Sequence, residues 1–277
     1  MGIEMIKEKF SCMGARIQTD EMQPEYWQSL EDLPRLSIDI LQDKRGEYFN
    51  LSINPTAKFS LNVIDVRPNI QHALLMSDDQ ENTPETKRMG KQKFLFGHDE
   101  RHWFVAAIPE AKNASNVQTA MDALKPFAVR ASEFHSKLKR QDRNRRKNRA
   151  FVRQGEWFFI PAHTLNVDPL LILKNEPLRR GNGKPHMMEY CFRTGGEPVY
   201  VNWEFPNGIS ELQYKAHIRK NRRAAHSFRM YRRNPGVFVK GKVRHSDHKT
   251  IKLNGWHRVV MNTETQAKAM EHVAFID

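Results

Sequence analysis

Between residues 35 and 108 the apolar residues come in short runs, and a turn signal closes almost every one. "RLSIDI" (35–40), "YFNLSI" (48–53), "AKFSLNVIDV" (57–66) and "NIQHALLMS" (69–77) are divided by Arg45-Gly46, Asn54-Pro55 and Arg67-Pro68. "KFLFG" (93–97) and "HWFVAAI" (102–108) follow, joined by His98-Asp99-Glu100-Arg101. Runs of this length, partly alternating and bounded by Gly, Pro and Asn, make strands that pair with their chain neighbours. They predict an antiparallel meander. The polar stretch 78–92, with Pro84 and Gly90, predicts a loop.

Helical spacing is confined to two places. Val117, Met121, Leu124 and Phe127 predict a helix over 114–138 with Ser115 as N-cap, divided or kinked by Pro126. "SELQYKAHIRKNRRAAHSFRMYRR" (210–233) predicts a long cationic helix that stops before Asn234-Pro235-Gly236. Its apolar stripe would be Leu212, Tyr214, Ile218, Ala225, Phe228 and Met230. Around it, strands are expected at "EWFFI" (156–160), "MMEYCFR" (187–193), "PVYVNW" (198–203), "GVFVKGKV" (236–243) and "HRVVM" (257–261). Thr194-Gly195-Gly196-Glu197 reads as a hairpin turn.

Charge divides the chain more sharply than pattern does. Residues 1–100 hold 12 Lys/Arg against 17 Asp/Glu, whereas residues 101–277 hold 33 against 15. Residues 137–149 alone carry eight Lys/Arg and one Asp, as a cationic rod or a basic arm. The predicted fold class is therefore α+β: an antiparallel, β-rich, acidic amino-terminal domain (1–136), a basic linker or helix extension (137–150), and a basic β-rich domain (151–277). That last part is expected to be barrel-like and crossed by the one cationic helix.

No window approaches 18 consecutive apolar residues, and "MGIEMIKEKF" lacks the apolar core of a secretory signal. Ile6 argues against myristoylation. The expectation is a cytoplasmic protein with no membrane partner. Cys12 and Cys191 lie too far apart in sequence for a disulfide framework, and both are expected to be buried. Trp157 and Trp203, each beside a glutamate, are expected in the core.

Three stretches can carry chemistry. "NEPLRRGNGKPH" (175–186) sets Arg179, Arg180, Lys184 and His186 around Gly181 and Gly183, which suits a phosphate cradle. Pro185 follows Lys184 where a nucleotide P-loop needs Ser or Thr, so no nucleotide cofactor is expected. On the cationic helix, Arg219, Arg222, Arg223, Arg229, Arg232 and Arg233 offer phosphate contacts, and Phe228 and Tyr231 offer stacking. The third stretch, "VRHSDHKTIKLNGWHRV" (243–259), holds His245, His248 and His257 among Arg244, Lys249, Lys252 and Arg258.

In that last stretch, four cations raise the cost of a divalent ion and lower the cost of a phosphate, so no metal is expected. The leading expectation is a nucleic-acid-binding protein, RNA favoured over single-stranded DNA, gripping phosphates through Arg179, Arg180, Lys184, His186, Arg244, Arg258 and the helix arginines. The acidic first domain would then serve a protein partner. If the chain is an enzyme, it is a metal-independent ribonuclease or phosphoesterase: two of His245, His248 and His257 would move protons, and Lys249 would steady the phosphate. His248-Lys249-Thr250 has the His-x-Thr form of two-histidine phosphoesterases, but the nearest second copy is only "AHTL" (162–165). A third class, a module that recognises an acidic protein, uses the same cations.

Overall fold

The computed structural model describes residues 3–24, 33–79, 91–180, 183–268 and 270. Most of the expected loop 78–92, and Gly181 of the expected cradle, lie outside them. Strands dominate, in four sheets.

The amino-terminal half is layered. Strands β4 (Phe59–Arg67), β5 (His72–Asp79), β6 (Lys91–Asp99) and β7 (His102–Ile108) form an antiparallel meander, whereas the runs at 35–40 and 48–53 pair in a separate sheet, so the expected meander is divided. Both faces of this sheet are buried, and the period of two sorts them. Leu61, Val63, Ala73, Leu75, Phe94, Phe96, Val105 and Ala107 face a core shared with β1 (Ile17–Glu21), β2 (Leu36–Asp43) and β3 (Gly46–Ile53). Leu74, Leu95, Ala106 and Ile108 point the other way, onto helix α2 (Val117–Ala123).

Residues 3–24 carry no strong periodicity, yet they form α1 (Ile3–Ser11) and β1. Strand β1 runs parallel to β3, so this sheet departs from the antiparallel rule of its neighbour. Helix α1 is held by Ile6 and Phe10, and Phe10 meets Phe49 and Phe96 edge-on at 5.8 and 5.0 Å. Each such fully buried ring is worth about 1.5–3 kcal/mol of burial.

The helical stretch expected at 114–138 is two helices, α2 and α3 (Phe127–His135), because Pro126 cannot donate a backbone hydrogen bond. Asn116, not Ser115, is the N-cap of α2, accepting from the Thr119 amide. Lys125 lies between the helices, only 3% exposed, and donates to Glu133 at 2.7 Å, Asp122 at 2.8 Å and the Arg143 carbonyl at 3.0 Å. The basic stretch 137–149 is thereby ordered as turns, neither rod nor loose arm. Arg146 ion-pairs with Asp99 and Glu100 of the β6–β7 turn, so acids of the first hundred residues answer part of this charge.

The carboxy-terminal half is built on a six-stranded antiparallel sheet. Its order is β10 (Leu173–Leu178), β11 (His186–Thr194), β15 (Gly236–Arg244), β16 (Ile251–Met261), β9 (Trp157–Pro161) and β8 (Val152–Gln154). The sheet is open, so the expected barrel does not form. Trp157, Phe159, Met188, Cys191, Val239, Val243, Leu253 and Val259 bury one face, and Phe158, with Ile160 and Val260, packs against Val129 of α3 and Phe151. Residues 262–267 then return to the first half. Thr263 bonds Leu124 and Ala123, and Ala267 joins the first core.

The expected hairpin at Gly195-Gly196 is a bend between sheets. Thr194 on β11 still pairs with Gly236 on β15, and beyond the bend Glu197 on β12 (Glu197–Val201) pairs with Arg233 on β14 (Arg229–Arg233). A Cβ on Gly196 would meet the Arg233 carbonyl oxygen at 2.6 Å, and φ there is +79°. The ladder thus continues into an arm comprising β12, β13 (Ile209–Ser210), α4 (Glu211–Lys220) and β14. The cationic helix expected to Arg233 ends at Lys220; the chain then makes a 3-10 turn and becomes strand β14.

Two outcomes follow from the buried polar groups. Lys125→Met, which deprives the buried Glu133 carboxylate of its ammonium, should cost about 3–5 kcal/mol in urea unfolding. Replacing both, Lys125→Met with Glu133→Leu, should recover most of that loss.

His72 is 6% exposed, and burial pushes its imidazole down to about 4 despite a bond to the Ile70 carbonyl. A depressed folded value means the unfolded chain binds the proton first as pH falls. Its contribution is whole above about 6.5 and is lost towards 4. His72→Phe should flatten the melting temperature across that window relative to wild type.

Candidate functional site

The β11–β15 ladder decides where the histidines go. Met187 pairs with Arg244, so His186, one residue earlier, stands beside His245, one residue later. The loop from β15 to β16 then brings back His248. Ligand nitrogens of His186, His245 and His248 all lie within 4.8 Å of one another. The rings are near parallel: His186 and His245 are 4.1 Å apart between centroids, and His245 and His248 4.8 Å.

His186 is 2% exposed, and its Nε2 has no hydrogen-bond partner among the described residues. Burial, then the neighbouring His245 and His248, holds its imidazole down at about 3, hence neutral. Trp157 Nε1 and Gln154 Oε1, on the adjoining strands, are also buried and without partners among the described residues. His245 Nδ1 accepts from the Asp247 amide at 3.2 Å, and its Nε2 lies 3.3 Å from the Lys184 carbonyl. Glu100 places a carboxylate oxygen 3.8 Å from His248 Nδ1 and accepts from the Lys249 amide.

Part of the surrounding charge is paired. Lys184 pairs with Asp247 at 2.9 Å; partial burial pushes this carboxylate up, but hydrogen bonds from Lys184 and Ser246 outweigh it and hold it below its ordinary value. Arg180 is ion-paired with Glu264. Arg244 is exposed and donates to Asn175. His248, Lys184 and Asp247 also border a cavity of about 400 Å³, whose wall runs back through Arg153, Phe158 and Phe104.

His257 is not part of the cluster. It lies on β16 opposite Val239, bonds the Gly255 carbonyl, and burial lowers its value. Arg258 is exposed on the other face of β16, and Arg179 and Lys249 are exposed beside their loops.

The arm is the second grouping. No residue of α4 or β14 is buried. Arg219, Arg222, Arg223, Arg229, Arg232 and Arg233 make no ion pair among the described residues, although Arg232 and Arg233 donate to carbonyls of Gly195, Gly196, Asn207 and Gly208. Strand alternation sets Arg229, Tyr231 and Arg233 on one face. Tyr231 is exposed. Phe228 is instead half-buried in the arm's own aromatic cluster, with Tyr214, Phe205 and His217, and Tyr200 stacks on Tyr214 at 3.8 Å.

No family model, curated protein or solved structure matches this chain. Two sequence readings of single residues change. Trp203, expected in the core, is 86% exposed on the arm. Cys12 is exposed. Cys191 is buried as expected, and burial pushes its thiol up to about 11, which leaves no thiolate for nucleophilic chemistry. His186 was separated from His245 by 58 residues of strand and arm, so only the register shows them to be neighbours.

Gly155 holds the cluster from below: φ is +56°, and a Cβ there would lie 2.9 Å from His248 Nε2. Gly155→Ala should therefore cost about 1–2 kcal/mol in chemical denaturation and shift the His248 ring resonances in a histidine-selective NMR spectrum.

Proposed function

We propose that the protein binds single-stranded nucleic acid, RNA in preference to DNA, through the arm formed by residues 197–233. One observation carries this reading: six arginines with no carboxylate partner among the described residues, on an element without a buried helix or β14 residue, beside exposed Trp203 and Tyr231. The arm holds eight Lys/Arg against three Glu. Unanswered guanidinium groups release condensed counterions from a phosphate chain, and exposed aromatic faces stack on unpaired bases. No helix among the described residues is long and apolar enough to cross a membrane.

Of the other cations of the expected footprint, Arg179 and Arg258 are exposed and three contribute less. Arg180 and Lys184 are taken up by Glu264 and Asp247, and Arg244 by Asn175. A second reading, phosphodiester cleavage, is favoured by the convergence of His245 and His248 beside Lys184 at a cavity.

A fluorescently labelled single-stranded RNA should bind with a log–log salt slope of about −4 if all six arginines engage. Arg229→Glu with Arg233→Glu should weaken it by more than about tenfold, and Trp203→Ala by about 1–3 kcal/mol, the worth of one stacked base. Absence of binding at low salt overturns the reading, and tighter capture of an acidic protein that RNA cannot displace favours a protein partner. Shorter labelled products, absent with His245→Gln, would mark cleavage.

A further inference from the structure

We propose that His186, His245 and His248 form a binding site for one divalent transition-metal ion, zinc by its donor set. The argument does not depend on the nucleic-acid reading.

Three neutral imidazoles are a donor set that zinc accepts, and three protein ligands leave a fourth position for water or another oxygen. One donor comes from a strand and two from a His-x-x-His loop on the neighbouring strand, so the ladder brings together groups that the sequence separates. His186 Nε2 is buried and has no hydrogen-bond partner among the described residues, in a structure that satisfies most buried polar atoms. The Trp157 ring, whose Nε1 also lacks a partner among the described residues, lies 6.5 Å from that of His186, and Gln154 donates to the Lys249 carbonyl beside His248. Glu100 stands 3.8 Å from His248 Nδ1, too long for a hydrogen bond but close enough for its charge to favour a cation bound at the cluster.

The electrostatic objection from the sequence is weakened in the fold, because the cations it counts face solvent, which screens them. Lys184 is matched by Asp247, Arg244 donates to Asn175, and Arg244, Lys249, Lys252 and Arg258 are all exposed. Asp247 itself is half-buried in the same loop, and its amide donates to His245 Nδ1.

The rings do have to turn. Nitrogens around a tetrahedral zinc at about 2.1 Å lie about 3.4 Å apart, closer than the 4.8 Å limit of the present cluster. His245 and His248 are loop residues, and turning the His245 ring gives up its contacts at 3.2 and 3.3 Å, while His186 is carried by β11.

The test uses tag-free full-length protein, stripped with chelator and titrated with zinc chloride. Wild type should retain about one equivalent after desalting, give a cobalt(II) visible absorption band of a nitrogen-rich site, and melt several degrees higher with zinc but not with magnesium. His245→Gln with His248→Gln should lose the retained metal and the band, with an unchanged metal-free melt. If that pair fails to fold, His248→Gln alone should lower zinc affinity by more than about tenfold. Less than about a tenth of an equivalent retained by wild type, or equal retention by a folded double variant, overturns the proposal.

Discussion

The antiparallel pairing of β11 with β15 is the interaction on which both candidate sites depend. At one end its register sets His186 beside His245. At the other it passes through the Gly195-Gly196 bend and becomes the β12–β14 ladder that carries Arg229, Tyr231 and Arg233. A shift of one residue would turn every side chain of β11 to the opposite face, removing His186 from the loop and Met188 and Cys191 from the core together. The site is thus secured by the same hydrophobic alternation that stabilises the sheet.

The two halves of the molecule are tied by charge as much as by packing. Asp99 and Glu100 lie on the tight turn between β6 and β7, and they draw in Arg146, Arg153 and the Lys249 amide from the basic half. The Lys125–Glu133 pair fixes the joint between α2 and α3 and reaches the Arg143 carbonyl. Part of the cationic block after residue 136 is thereby structural. The arm gathers six arginines that make no such ion pair among the described residues.

How much of this could be read from the sequence depended on whether the signal was local. The meander at residues 57–108 was legible because alternation and turn residues act over a few positions. The cut at Pro126 was legible for the same reason. The small α1 and β1 were not, since Ile6, Phe10 and Ile17 gain their burial from β3 and β6, far along the chain. The cationic helix was overextended because a period of 3.6 can be traced through 221–233, while its stripe included Leu212 and Met230, which stay exposed. His257 was grouped with the loop histidines by proximity, and His186 was placed with the phosphate loop; strand register exchanged their roles.

Strand β14 pairs only with β12 among the described residues, so one rail of its backbone amides and carbonyls is left without a neighbouring strand. Such a border invites a second chain to add itself, and three positive side chains in five residues make that addition repulsive. The arginines of β14 therefore work against copies of the protein zipping together edge to edge, whatever else the arm meets.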